Sequence, residues 1–107
     1  LRLEHGFGDA LRIPAVNGRP PRTLREGADE LANRMVSIFE RGPDGNRPVF
    51  GGSERSQRDP HFRDKLLFYE YFHAETGEGL GASHQTGWTA LVAEMILRLS
   101  RRSRGLE

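Results

Sequence analysis

The stretch Leu66-Leu67-Phe68-Tyr69-Glu70-Tyr71-Phe72 is apolar or aromatic at every position except Glu70, and how it folds decides the architecture. Asp59 followed by Pro60 supplies an N-cap with proline at the first helical position, which predicts a helix from about Pro60 to His73. The first half of that segment is amphipathic. The second half is apolar almost all the way round, as in a helix covered on both sides.

Downstream, Ala74 to Gly81 carries glycines at 77, 79 and 81 and reads as a polar, turn-rich loop. Trp88, Leu91, Val92, Met95, Ile96 and Leu99 then recur on the 3.6-residue period, which predicts another helix, with Ser83 or Thr86 as its cap. Upstream, Gly42-Pro43-Asp44-Gly45-Asn46 and Gly51-Gly52 mark loop, with a short extended piece expected at Pro48 to Phe50. Before that, Thr23 and Glu26 form a capping box, and Leu24, Ala28, Leu31, Met35 and Ile38/Phe39 follow at helical spacing. Residues 1–22 hold Gly6, Gly8, Pro14, Gly18, Pro20 and Pro21, a density of breakers that reads as loop. No strand signal rises above the helical pattern. The expected fold class is therefore all-α, with three main helices joined by long loops.

A chain of 107 residues suits one small domain with one modest core. Loops beyond about 12 to 15 residues are uncommon in compact domains, so three helices joined this way make a poor independent fold. The helix around Glu70 is expected to need partners outside the chain. The start Leu1-Arg2-Leu3-Glu4 has neither an initiator methionine nor a signal peptide's apolar core, so residues 1–107 are expected to be a single partial domain cut from something longer.

The net charge is +1, from 16 basic and 15 acidic residues, and does not call for nucleic acid or an anionic membrane as partner. Arg98, Arg101, Arg102 and Arg104 cluster near the C-terminus, and residues 98–107 read as a solvated basic tail. The longest apolar runs are too short to cross a bilayer. With no cysteine there is neither a disulfide framework nor a thiolate zinc site, and the cytoplasm is the expected compartment.

An ionised Glu70 among Leu66, Leu67, Tyr69, Tyr71 and Phe72 costs free energy unless it is paired, hydrogen-bonded or neutralised. Two readings fit: a structural Glu paired with an arginine or tyrosine, or a perturbed catalytic acid or base. The glycines of Thr76-Gly77-Glu78-Gly79-Leu80-Gly81 match neither a P-loop nor a dinucleotide fingerprint. Ser83, His84, Gln85, Thr86 and Trp88 combine hydrogen-bonding groups with an indole, which suits sugar hydroxyls and an apolar ring face, and equally a capped, Trp-anchored helix start. His61, His73 and His84 with Glu70 match no zinc spacing such as HExxH, so no metal and no cofactor are expected. Ser83 beside His84 lacks a nucleophile-elbow context.

The run FYEYFHAETGEGLGASHQTGWTALVAEMI, residues 68–96, resembles the C-terminal region of glycoside hydrolase family 63, most closely its bacterial mannosylglycerate and glucosylglycerate hydrolases. Arg47-Pro48-Val49 through Gly51-Gly52 and Asp59-Pro60-His61-Phe62 resemble the family's preceding segment. The resemblance implies a C-terminal portion of an α/α toroid and hydrolysis of an α-glycosidic bond with inversion. It places Glu70 on the general-base position and Gln85 on a substrate contact. His84 and Trp88 follow as weaker substrate-binding or pocket-shaping positions. The family's general acid is an aspartate far upstream of Leu1. Asp59 and Asp64 do not belong to that upstream segment, so the isolated chain is expected to be inactive. The alternative is a small helical module without catalysis that self-associates through exposed helix faces.

Overall fold

The computed structural model describes residues 2–84 and 87–105. The capping box forms as expected. The Thr23 hydroxyl accepts from the Glu26 amide at 3.1 Å while the Glu26 carboxylate accepts from the Thr23 amide at 2.7 Å. It opens α2 (Leu24–Ser37). Residues 1–22 hold more structure than their breakers suggest: α1 (Arg2–Phe7), a 3-10 turn (Gly8–Ala10) and β1 (Arg12–Ile13). β1 pairs antiparallel with β2 (Arg22–Thr23), Arg12 opposite Thr23 and Ile13 opposite Arg22. Gly27 is buried on α2, where any side chain would collide with the Ile13 Cδ1 methyl, so this glycine lets the strand pair sit against the helix. Glu30, one turn further along α2, pairs with both Arg19 and Arg22 and ties the hairpin to the helix.

The C-terminal end of α2 is closed by the segment that follows it. The Val49 amide donates to the Ile38 carbonyl at 2.9 Å, and the Arg47 guanidinium donates to the Phe39 carbonyl. These two bonds satisfy the carbonyls of the cap residue Ile38 and of Phe39 just beyond the helix end. Pro48–Phe50, expected to be extended, is a 3-10 turn, and it drives Val49 and Phe50 into the core. A third helix, α3 (Glu54–Arg58), is capped by the Ser53 hydroxyl.

The expected helix from Pro60 to His73 does not form. The Asp59 carboxylate accepts from the His61 amide, and the Phe62 and Arg63 amides both donate to the Asp59 carbonyl at 2.9 and 2.8 Å. The cap signal is real but opens only turns, which the Lys65 amide closes on the Phe62 carbonyl. Beyond them the chain is extended, and β3 (Tyr71–Phe72) pairs antiparallel with β4 (Gly79–Leu80). An apolar run of seven residues fits a two-sided extended segment as well as a buried helix, and its aromatic content favours the former. Helices thus make up most of the regular structure among the described residues, but two small antiparallel sheets accompany them, so the fold is not all-α.

The last helix follows its period. A 3-10 turn (Trp88–Leu91) leads into α4 (Val92–Ser103), with no side-chain cap from Ser83. Thr86 lies outside the described residues. Much of the supposed basic tail is α4 itself: Arg98 pairs with Glu94 one turn back, and Arg102 reaches Asp29 on α2. Val36, Phe39, Val49, Phe50 and Val92 form the core where α2, the 48–50 turn and α4 meet, with Phe68, Tyr69 and Phe72 of the extended segment packed over it. Leu31, Leu91 and Ile96, read as buried positions of their helices, stay exposed. No helix among the described residues is long and apolar enough to cross a membrane.

Candidate functional site

Phe68 and Phe72 both reach Phe39, at ring-centroid distances of 5.9 and 5.7 Å, and fix the extended segment to the core. Glu70 lies between them, but its side chain is exposed, which corrects the expectation of a carboxylate buried among aromatics. The desolvation cost that made the residue look anomalous is absent, because the chain bends at Glu70, just before β3, and leaves its side chain in solvent although Phe68 and Phe72 on either side pack on the core. Three contacts hold it. The Glu70 amide donates to the Ala82 carbonyl at 2.9 Å, the Ala82 amide reaches the Glu70 Oε2 at a long 3.4 Å, and the Trp88 indole N–H donates to the Glu70 carbonyl at 3.1 Å.

The turn beyond the strands is organised by its own polar groups. The His73 amide donates to the Glu78 carbonyl and the Gly77 amide to the His73 carbonyl, at 2.8 and 2.9 Å. The Glu75 and Thr76 amides point at the His73 Nδ1 at 3.3 and 3.4 Å. The glycines serve close approach and turning of the chain. The Tyr69 ring lies against Gly79 where any side chain would clash, and Gly77 and Gly81 take positive φ of 76° and 75°. Their alternation at 77, 79 and 81 matches the two-residue repeat of a strand, a signal that could have revealed β4.

His84 is exposed and bridges to Phe68 through its main chain. Gln85 lies outside the described residues. Trp88 is 56% exposed, and its ring meets that of Phe72 nearly at right angles, with centroids 6.1 Å apart and planes at 84°. It borders a cleft of about 590 Å³ with Leu31, Arg34, Ile38, Tyr71 and His73. Neither Glu70 nor His84 lines that cleft. Arg34 and Tyr71 were not singled out in the sequence, because nothing local marks a residue that becomes a wall only when α2 and β3 meet.

Asp59 and Asp64 are engaged elsewhere. Asp59 caps its own turn. Asp64 accepts from Arg41 at 3.0 Å, with Arg63 and Arg47 also nearby, and the Arg41 hydrogen bond holds its carboxyl below the usual aspartate range. Among the described residues no group of three or more histidines, aspartates and glutamates gathers at metal-binding distances.

Over 75 residues the chain is 51% identical to an uncharacterized protein of Saccharomyces cerevisiae, YMR196W. The match covers 68% of this chain and 7% of the yeast protein. No protein-family model matches the chain, and no solved structure matches it.

Proposed function

We propose that the chain is the general-base-bearing segment of an inverting α-glycoside hydrolase of the family 63 type, acting in the cytoplasm on glucosylglycerate- or mannosylglycerate-like substrates. In this reading it forms the C-terminal part of an α/α toroid. The observation that carries the reading is the placement of Glu70: an exposed carboxylate at a bend just before β3, braced through its amide, its carbonyl and one carboxylate oxygen. A general base needs such a combination, since water must reach it and its position must be fixed.

The chemistry balances with one group inside the chain and one outside. Glu70 takes a proton from water as the water oxygen bonds to the anomeric carbon. The bond from that carbon to the glycerate oxygen breaks, and an acid outside this chain protonates the leaving oxygen. Inverting enzymes set their two carboxyl groups about 6.5 to 9.5 Å apart to admit that water. Asp59 and Asp64 are held by their own turns and arginines, which is why the isolated chain is proposed to be inactive. Gln85, His84 and Trp88 are proposed to contact the sugar or the glycerate.

The test is hydrolysis of both glycerate glycosides by a longer chain carrying this segment, with the first-formed anomer followed by NMR. The β-anomer should accumulate first, and Glu70→Gln should abolish turnover. Retained turnover in that variant, or the α-anomer first, sinks the proposal.

A second reading, self-association, is favoured by one apolar surface. A groove of about 340 Å³ between α2 and α4 is lined by Ala28, Leu31, Met35, Leu91, Met95 and Leu99. Leu31 and Leu91 on it are 63% and 57% exposed. A second copy covering that groove would hide surface this small core leaves in water.

A further inference from the structure

We propose that Gly81 and Trp88 are positioning residues that clamp Glu70 from its side chain and from its main chain, so that the carboxylate is presented in one orientation. The inference rests on the reading of Glu70 as the base, and it changes the role of Trp88 from a sugar contact to a brace.

At Gly81 a Cβ would stand 2.7 Å from the Glu70 Oε2, 2.9 Å from the Tyr71 ring and 3.0 Å from the Glu70 Cβ. The carboxylate thus lies across the space that any other residue would fill, and the φ of 75° there also disfavours a side chain. The next amide, that of Ala82, is the one that reaches the Glu70 Oε2. One missing side chain therefore opens both the room for the carboxylate and its approach to a donor. Trp88 works on the other side of the same residue. Its indole N–H holds the Glu70 carbonyl, and its edge rests on Phe72, two residues along the strand. Phe72 in turn packs on Phe39 in the core. Glu70 is referenced to the buried centre of the molecule through two aromatic contacts, although its own side chain is in solvent.

The test uses the labelled 107-residue chain and NMR. Glu70→Gln should move the Ala82 amide resonance in the native background and leave it nearly unmoved in the Gly81→Ala background, because the carboxylate has already left that amide. An equal displacement in both backgrounds overturns the Gly81 assignment. Trp88→Phe keeps a ring against Phe72 and deletes the donor, so the Glu70 carbonyl-carbon resonance should move while resonances of Val36 and Val49 stay in place. An unmoved carbonyl overturns the Trp88 assignment, and this variant serves even if Gly81→Ala does not fold.

In a longer chain carrying the segment, Gly81→Ala and Trp88→Phe should each lower kcat by about a hundredfold with KM little changed, as expected for a displaced catalytic group. Normal turnover by Glu70→Gln removes the general-base reading and leaves the clamp standing on its spectra. An inactive Glu70→Gln with unaltered spectra in Gly81→Ala and Trp88→Phe removes the clamp and spares the base.

Discussion

The Gln57 side chain and the Arg47 backbone exchange two hydrogen bonds, Arg47 N–H to the Gln57 Oε1 at 2.8 Å and Gln57 Nε2 to the Arg47 carbonyl at 2.9 Å. The carboxamide imitates a paired strand, and its nitrogen also reaches the Gly51 carbonyl at 3.1 Å. This one side chain, only 8% exposed, ties α3 to the turn that carries Val49 and Phe50.

Gln57→Ala is therefore expected to cost about 2 to 4 kcal/mol, since it leaves buried backbone groups without partners. Urea denaturation should show a lowered midpoint with an unchanged slope. A loss below about 0.5 kcal/mol, the range of ordinary surface substitutions, would show that water replaces the amide freely.

Phe39→Ala should be more damaging. Phe39 is 2% exposed and is the ring on which both Phe68 and Phe72 rest. A cost of about 3 to 5 kcal/mol follows for such a truncation. With five buried apolar core residues among those described, there is little to spare, so the far-UV and near-UV circular dichroism should both collapse at 37 °C.

Thr23→Ala should lower stability by about 1 kcal/mol and Thr23→Ser by much less, because serine keeps the hydroxyl that caps α2. Thermal melts of the two variants side by side separate the cap from simple truncation.

Acid should destabilise the chain through three carboxyls. Hydrogen bonds from Thr23 to Glu26, from Asn46 to Asp44 and from Arg41 to Asp64 lower each of them from ordinary values of 4.5, 3.8 and 3.8. A depressed folded value means that the contribution is complete above those ordinary values and lost as pH falls through the lower folded ones. Melting temperature should therefore be flat from neutrality to about pH 5 and fall at lower pH. Asp64→Asn should make that fall shallower.

Leu31→Glu and Leu91→Glu should leave the melting temperature nearly unchanged, since both side chains are already in solvent. If the groove between α2 and α4 joins two copies, light scattering should find a dimer in the native chain and a monomer in either variant. A native monomer at millimolar concentration removes that reading.

Parts of this fold were readable where the deciding interactions are local. The capping box of α2 lies within four residues, and α4 repeats its apolar positions over three turns. The segment around Glu70 was misread because its signals conflict at short range. Asp59-Pro60 announces a helix that ends after a few turn residues, and the partner that makes Tyr71-Phe72 a strand is Gly79-Leu80, beyond a turn. Glu70 could be noticed as the one charge in an aromatic run, but its exposure depends on a bend just before β3 that no sequence period marks. Trp88 was readable as a helix anchor. Its hydrogen bond to a carbonyl in another element was not, because no spacing in the chain encodes it.

The pairing of Tyr71 with Leu80 and Phe72 with Gly79 is only two residues long. Moving it by one position would turn Phe72 away from Phe39, since a one-residue slip sends each side chain of a strand to the opposite face. The number of residues between the two strands therefore acts as a switch with discrete settings. Inserting or deleting one residue in 74–77 would therefore detach the segment beside Glu70 from the core, whereas many point changes in that turn would leave the pairing untouched.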